Sequence, residues 1–273
     1  MGYKVTGMVF ALYILIGALA GVLAGLFGVG GGLIIVPALL VSFSVYGFAP
    51  EIVTHLAIGT SLATIVITSI SSTRTHHQKK AVDWNLFKQL SPGILLGSLL
   101  GVYTATQLNG RTLQGALGIF ALLMATRLWY GHALSASACG NQPTKPWVLT
   151  TGGGIIGWAS GMFGIGGGAL SVPFLRWRRV PMTLAIGTSA ACGLPIAIMA
   201  TAANMIMGAD QPFLPAYATG FVYWPAFIGI VLTSVPFSRL GAKWAHNLPA
   251  SRLQQGFALF LVAVGVKLLW AAL

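Results

Sequence analysis

The sequence predicts an all-α polytopic membrane protein of about ten transmembrane segments. The segments form two inverted-topology five-helix repeats, with short or broken helices after Gly-rich motifs. Three observations carry this prediction. First, 56% of the 273 residues are hydrophobic and only 7% charged, and the mean hydropathy is +0.84. A soluble domain carries about 25% charged residues, so a water-facing surface cannot be built here. Long apolar runs indicate helices rather than barrel strands. Second, GLFGVGGGLIIVPALL at 25–40 returns as GMFGIGGGALSVPFLR at 161–176, identical at nine of sixteen positions. Third, the basic residues concentrate in alternate loops between the apolar runs.

Apolar segments lie near 7–27, 33–47, 54–73, 88–107, 113–130, 147–163, 168–176, 182–207, 216–236 and 252–272. Most reach the roughly 20 residues that cross about 30 Å of hydrocarbon. The first reads as a retained span rather than a cleaved signal. Its only early charge is Lys4, and it runs directly into the glycine motif. Segments 33–47 and 168–176 are shorter, and both follow a triple glycine. Each either crosses as a short helix or enters and turns back.

Charge decides between these. If all ten segments cross, one side holds Arg74, Lys79, Lys80, Lys88, Arg127, Lys145, Arg176, Arg178, Arg179, Arg239, Lys243 and Arg252, and the other only Lys4, Arg111 and Lys267. If both short segments turn back, the split is eight to seven. Positive charge collects on the cytoplasmic side, which favours ten crossings; the expected location is a bacterial plasma (inner) membrane. Both termini are then expected outside and the 131–146 linker in the cytoplasm. Trp84, Trp129, Trp147 and Trp177 fall near the inner boundaries, where interfacial aromatics belong. The net charge of +12 sits in these short loops. It therefore reads as orientation signal and anionic-lipid contact, not as a nucleic-acid surface.

A second internal pair follows the first. LAIGTSLA at 56–63 matches LAIGTSAA at 184–191 at seven of eight positions. RTLQG at 111–115 is matched more weakly by RLQQG at 252–256. The order is the same in both halves, as expected of one duplicated unit. The expected units are residues 1–130 and 147–273. Five spans is an odd number, so the second unit must lie upside down. The loops agree: RTHHQKKAVDWNLFK in the first half is basic, whereas its counterpart MGADQPFLPAY has no Lys or Arg. Inverted repeats with paired, Gly- or Pro-interrupted short segments mark secondary transporters, whose broken helices meet near the midplane.

Gly28, Gly30, Gly31 and Gly32, with Gly164, Gly166, Gly167 and Gly168, can end one helix, turn, and start the next. A fresh helix start offers unpaired N–H groups and a positive dipole end, which receive an anion without a charged side chain. Pro37 and Pro173 each follow five residues after the last glycine and are expected in a first helical turn. A lone Gly-rich span would read as tight packing. Duplication on two shortened spans favours a substrate site. Thr60, Ser61, Thr188 and Ser189 supply hydroxyls to it, although such groups also bond back to their own helix. GVGGGL lacks the third glycine of a dinucleotide fingerprint, and neither copy carries the Lys-Ser/Thr of a P-loop.

The only acids, Glu51, Asp83 and Asp210, fall in predicted loops, so no intramembrane carboxylate is available for a cation. His76 and His77 read as a solvated loop rather than a metal site, and His55 and Asn204 as structural. Cys139 and Cys192 are isolated, with neither a disulfide nor a metal site expected. Cys192 is more readily a small buried residue than a contact to a sulfur substrate. No catalytic constellation or cofactor is expected, which disfavours an enzyme or an assembly subunit.

The motifs GLFGVGGGLIIVPALL…LAIGTS and GMFGIGGGALSVPFL…LAIGTS resemble the two halves of the TauE/SafE sulfite-exporter family of membrane permeases. The resemblance covers nearly the whole chain. It maps the family motif onto Gly28–Gly32 with Pro37 and Gly164–Gly168 with Pro173. It implies a place in sulfur metabolism and transport of a small anion: sulfite, sulfoacetate, or a related organosulfonate or carboxylate. The expected protein is a secondary transporter working by alternating access, with H+ or Na+ as possible coupling ion. A passive anion channel of the same architecture is the alternative.

Overall fold

The computed structural model describes residues 7–27, 31–130, 146–244 and 250–272. Among these, ten helices and one two-residue strand pair form the molecule. The first five helices are α1 (Gly7–Phe27), α2 (Gly32–Val45), α3 (Pro50–Gln78), α4 (Trp84–Gln107) and α5 (Gly110–Tyr130). The second five are α6 (Pro146–Phe163), α7 (Gly168–Trp177), α8 (Met182–Met207), α9 (Trp224–Trp244) and α10 (Ala250–Ala272). Strand β1 (Ala218–Thr219) pairs antiparallel with β2 (Val222–Tyr223) just before α9. Helices α3 and α8, and Gly110–Trp129 of α5, are long and apolar enough to cross a membrane.

The short segments are helices of 14 and 10 residues, about 21 and 15 Å at 1.5 Å per residue. Their courses follow from two contacts. Tyr13, early in α1, meets Phe43, late in α2, edge-on at 6.5 Å. Gly152, early in α6, packs on the ring of Phe174, late in α7. Each short helix therefore runs back along the helix before it and ends level with that helix's start.

The largest helix interfaces join the first five helices to the second five: α4 on α6, α1 on α9, α5 on α10 and α3 on α8. The first two are parallel and glycine-lined. Gly93, Gly97 and Gly101 of α4 lie against Thr150, Gly154 and Trp158 backbone, while Gly153, Gly157 and Gly161 of α6 lie against Leu90, Ile94 and Ser98. Gly17 and Gly21 of α1 lie likewise on Ile230 and Ser234 of α9. Small residues let helix backbones approach closely in a membrane, where no hydrophobic force drives association. The α5–α10 pair is antiparallel: Gly118 meets Gly265, and Gly115 meets Ala272.

Several sequence-derived boundaries move. Pro50 opens α3, where its missing N–H costs nothing, and the helix continues through the polar STRTHHQ run. Asp83 caps α4, its Oδ1 accepting the N–H groups of Asn85 and Leu86 at 3.0 and 3.1 Å. The span expected from 216 starts at Trp224, because Gly220, at φ +52°, turns residues 218–223 into the strand pair. Trp84, Trp129, Trp147 and Trp177 are all exposed on the outside of the bundle.

Candidate functional site

The second glycine motif is a complete elbow. Helix α6 stops because Gly164 adopts φ +72°, a left-handed conformation that a side chain would disfavour. The Ile165 N–H then closes the helix end on the Ser160 carbonyl at 3.0 Å. Gly167, at φ +75°, caps α7, and its carbonyl accepts the N–H groups of Leu170 and Ser171 at 3.0 and 2.8 Å. The N–H groups of Gly168 and Ala169 precede that first helical bond and are the groups a helix start leaves for a ligand.

The first elbow repeats this at its described end. Gly31, at φ +77°, caps α2, and its carbonyl accepts Ile34 and Ile35, both at 3.0 Å. Gly28 and Gly30 lie outside the described residues. Pro37 and Pro173 each fall at the sixth residue of their helix, not in the first turn as the spacing suggested. Neither ends its helix. Each instead deprives one carbonyl, that of Leu33 or Ala169, of its helical donor.

The two elbows touch. A Cβ on Gly32 would fall 2.5 Å from the Gly164 carbonyl oxygen. Ser61 donates to that same oxygen at 2.9 Å. Gly164 itself packs under Ile58 and Val36, and Gly166 against Gly193. The start of α2 therefore meets the end of α6, where the second elbow opens, in the molecular interior. Gly32, Pro37, Phe163, Ile165, Leu117 and Leu268 line a small apolar cavity beside them.

Thr60 and Thr188 are fully buried. Thr60 Oγ1 accepts the Tyr223 N–H, and Thr188 Oγ1 the Asp83 N–H, at 3.0 and 2.9 Å. Each keeps its own proton to donate. Ser189 is buried with its hydroxyl unpartnered. Thus Ser61 reaches the second elbow directly, while Thr60 and Thr188 hold loops that enter the bundle. Among the described residues the buried polar side chains are Ser and Thr, with His55 and Asn204; no Lys, Arg, Asp or Glu is buried. His55 Nε2 donates to the Ala105 carbonyl at 3.0 Å and stacks on Phe221. Asn204 Nδ2 donates to Ala200 O at 2.8 Å. Cys192 packs in an apolar cluster with Leu90, Ile156, Leu175 and Ile196.

Two features escaped the sequence reading. The α4 and α6 glycine ladders were visible as glycines spaced four apart (93, 97, 101 and 153, 157, 161). Ser160 and Ser171, beside the second elbow, stand where the first half has Ala24 and Ile35. A search for identity between halves passes over such positions.

Ten helices, with α4–α6 and α1–α9 packed as parallel glycine-lined pairs and two short helices that start in the interior, define a helical polytopic membrane protein. Comparison with known proteins agrees. Residues 13–268 match the family described as sulfite exporter TauE/SafE, and the chain belongs to that family. It is 37% identical over 257 residues to a "Probable membrane transporter protein" of Haemophilus influenzae, covering 94% of this chain and 97% of the relative. Relatives of the same description in Methanocaldococcus jannaschii and Bacillus subtilis are 25% and 26% identical. They cover 96% of this chain each, and 96% and 98% of their own lengths. No solved structure matches.

Proposed function

We propose that this chain is a secondary transporter for a small sulfur-containing or organic oxyanion, such as sulfite or sulfoacetate. In this reading it works in the inner membrane by alternating access, with H+ or Na+ as coupling ion. One observation carries the reading. The left-handed glycine caps of α2 and α7 start two helices in an interior where no charged side chain is buried among the described residues, and the start of α2 touches the second elbow at Gly164, four residues ahead of α7. Backbone N–H groups and positive helix ends are then the means of holding an anion there.

Residues 1–130 and 147–273 act as inverted units that rock about this site, joined by the cytoplasmic 131–146 linker, with both termini outside. Support comes from helix directions. α2 runs back along α1 and α7 back along α6, while α6 lies parallel to α4 and α9 parallel to α1. The Haemophilus relative's printed name adds the transporter class.

The test is flux of sulfite, sulfoacetate and simple carboxylates into proteoliposomes. Saturable flux is expected from the wild type. Gly31→Ala and Gly167→Ala, which strain the left-handed caps, should reduce it at least tenfold while the protein stays monodisperse. Wild-type flux in both variants would overturn the site, and flux that never saturates would make the protein a channel.

A further inference from the structure

The two elbows match in backbone but differ in chemistry. Ala24 and Ile35 flank Gly31, whereas Ser160 and Ser171 flank Gly167. Ser171 Oγ donates to the Gly167 carbonyl at 2.8 Å. Ser160 is different. It is fully buried, its Oγ has no hydrogen-bond partner, and that Oγ lies 3.9 Å from where a Cβ on Gly167 would stand.

This isolation needs a cause. Helical Ser and Thr side chains usually bond back to a carbonyl one turn earlier. Here Ser44, Ser91, Thr104, Thr151 and Ser171 all do so. Ser160 instead points its hydroxyl beside the cap of α7, where the N–H groups of Gly168 and Ala169 precede the first helical bond. A buried hydroxyl without a partner costs free energy unless something else completes it. A buried donor without an acceptor, beside the cap of a helix whose first N–H groups have no helical partner, fits an oxyanion.

We infer that the second elbow is the substrate's anchor: Ser160 Oγ–H, with the Gly168 and Ala169 N–H groups, grips the oxygens of a sulfite, sulfonate or carboxylate group. The first elbow, with Ala24 and Ile35 at the matching places, offers backbone donors only. Ser160 therefore sets affinity for the anionic group. This deepens the transport reading and rests on it.

The test measures KM and maximal rate for sulfite and for sulfoacetate in proteoliposomes. Ser160→Ala removes the hydroxyl and leaves the residue that the first half carries at Ala24. A hydrogen bond to a charged group is worth about tenfold or more in affinity, so KM should rise by at least about that factor. Ser160→Thr, which keeps a hydroxyl, should restore most of the affinity. Ser234→Ala removes an equally buried, unpartnered hydroxyl between α1 and α9 and should leave KM unchanged. If Ser160→Ala fails to fold, Ser160→Cys, which keeps the volume but replaces the hydroxyl by a weak donor, makes the same test. An unchanged KM in the hydroxyl-free variant, or equal damage from Ser160→Ala and Ser160→Thr, overturns the anchor while leaving transport intact. A wild type that moves neither probe overturns the transport reading itself.

Discussion

The hydroxyl of Thr60 accepts the backbone N–H of Tyr223 at 3.0 Å, across 163 residues of chain. Thr188 does the same for Asp83 at 2.9 Å. The preceding glycines follow suit: Gly59 packs on the Phe221 carbonyl and Gly187 on that of Ala81. The Gly-Thr step of each LAIGTS motif is thus a socket for the loop that enters α9 or α4 in the other half of the chain. Thr60→Val or Thr188→Val should each destabilise by about 1–3 kcal/mol, since a buried N–H loses its acceptor. Thermal unfolding in detergent should show similar losses for both, with Thr→Ser substitutions close to wild type. A loss at one position alone would break the correspondence.

The glycine ladder between α4 and α6 leaves no room for side chains. A Cβ on Gly97 or Gly157 would run into the Gly154 or Ile94 carbonyl. Gly97→Leu and Gly157→Leu should abolish monodisperse protein. Gly256 of α10 has nothing within 4 Å of its would-be Cβ. Gly256→Ala should stabilise the protein by up to about 1 kcal/mol of added helix propensity, read as a higher melting temperature.

Asp83 has two tasks: its side chain caps α4 while its backbone N–H meets Thr188. Asp83→Ala should cost about 1 kcal/mol through the lost cap, and Asp83→Asn much less. Equal melting temperatures for all three proteins would show that the cap contributes nothing.

The proposed orientation is open to cysteine labelling. In a background of Cys139→Ser and Cys192→Ala, the exposed Phe213 and Arg179 become single cysteines. An impermeant maleimide applied to intact cells should label Phe213→Cys and spare Arg179→Cys. The reverse pattern would invert the protein in the membrane.

The sequence revealed the helices where hydropathy and backbone agree, as at 182–207, which is α8 residue for residue. It failed where they part. Residues 218–223 are as apolar as a span, yet Gly220 folds them into a strand pair. Hydropathy reports what is buried, not how the backbone runs. The elbows were legible because glycine runs are rare inside helices and these occur twice. Their contact, Gly32 on Gly164, was not, because no local pattern encodes which of two breaks meets the other. Ser160 stayed hidden for a simpler reason: it lies where the halves differ, and repetition draws attention to where they agree.

The partnership of α1 with α9, α3 with α8, α4 with α6 and α5 with α10 has a consequence for biogenesis. A ribosome delivers the first five helices before any of these partners exists. Until α6 arrives, the grooved faces at Gly93, Gly97 and Gly101 have only lipid or the insertion machinery to lie against. The first five helices must be inserted before any of these four interfaces can form, and the interfaces then close one by one as the second half is made. Helix α1 waits longest, because the chain from α2 through α8 must be made before its mate α9.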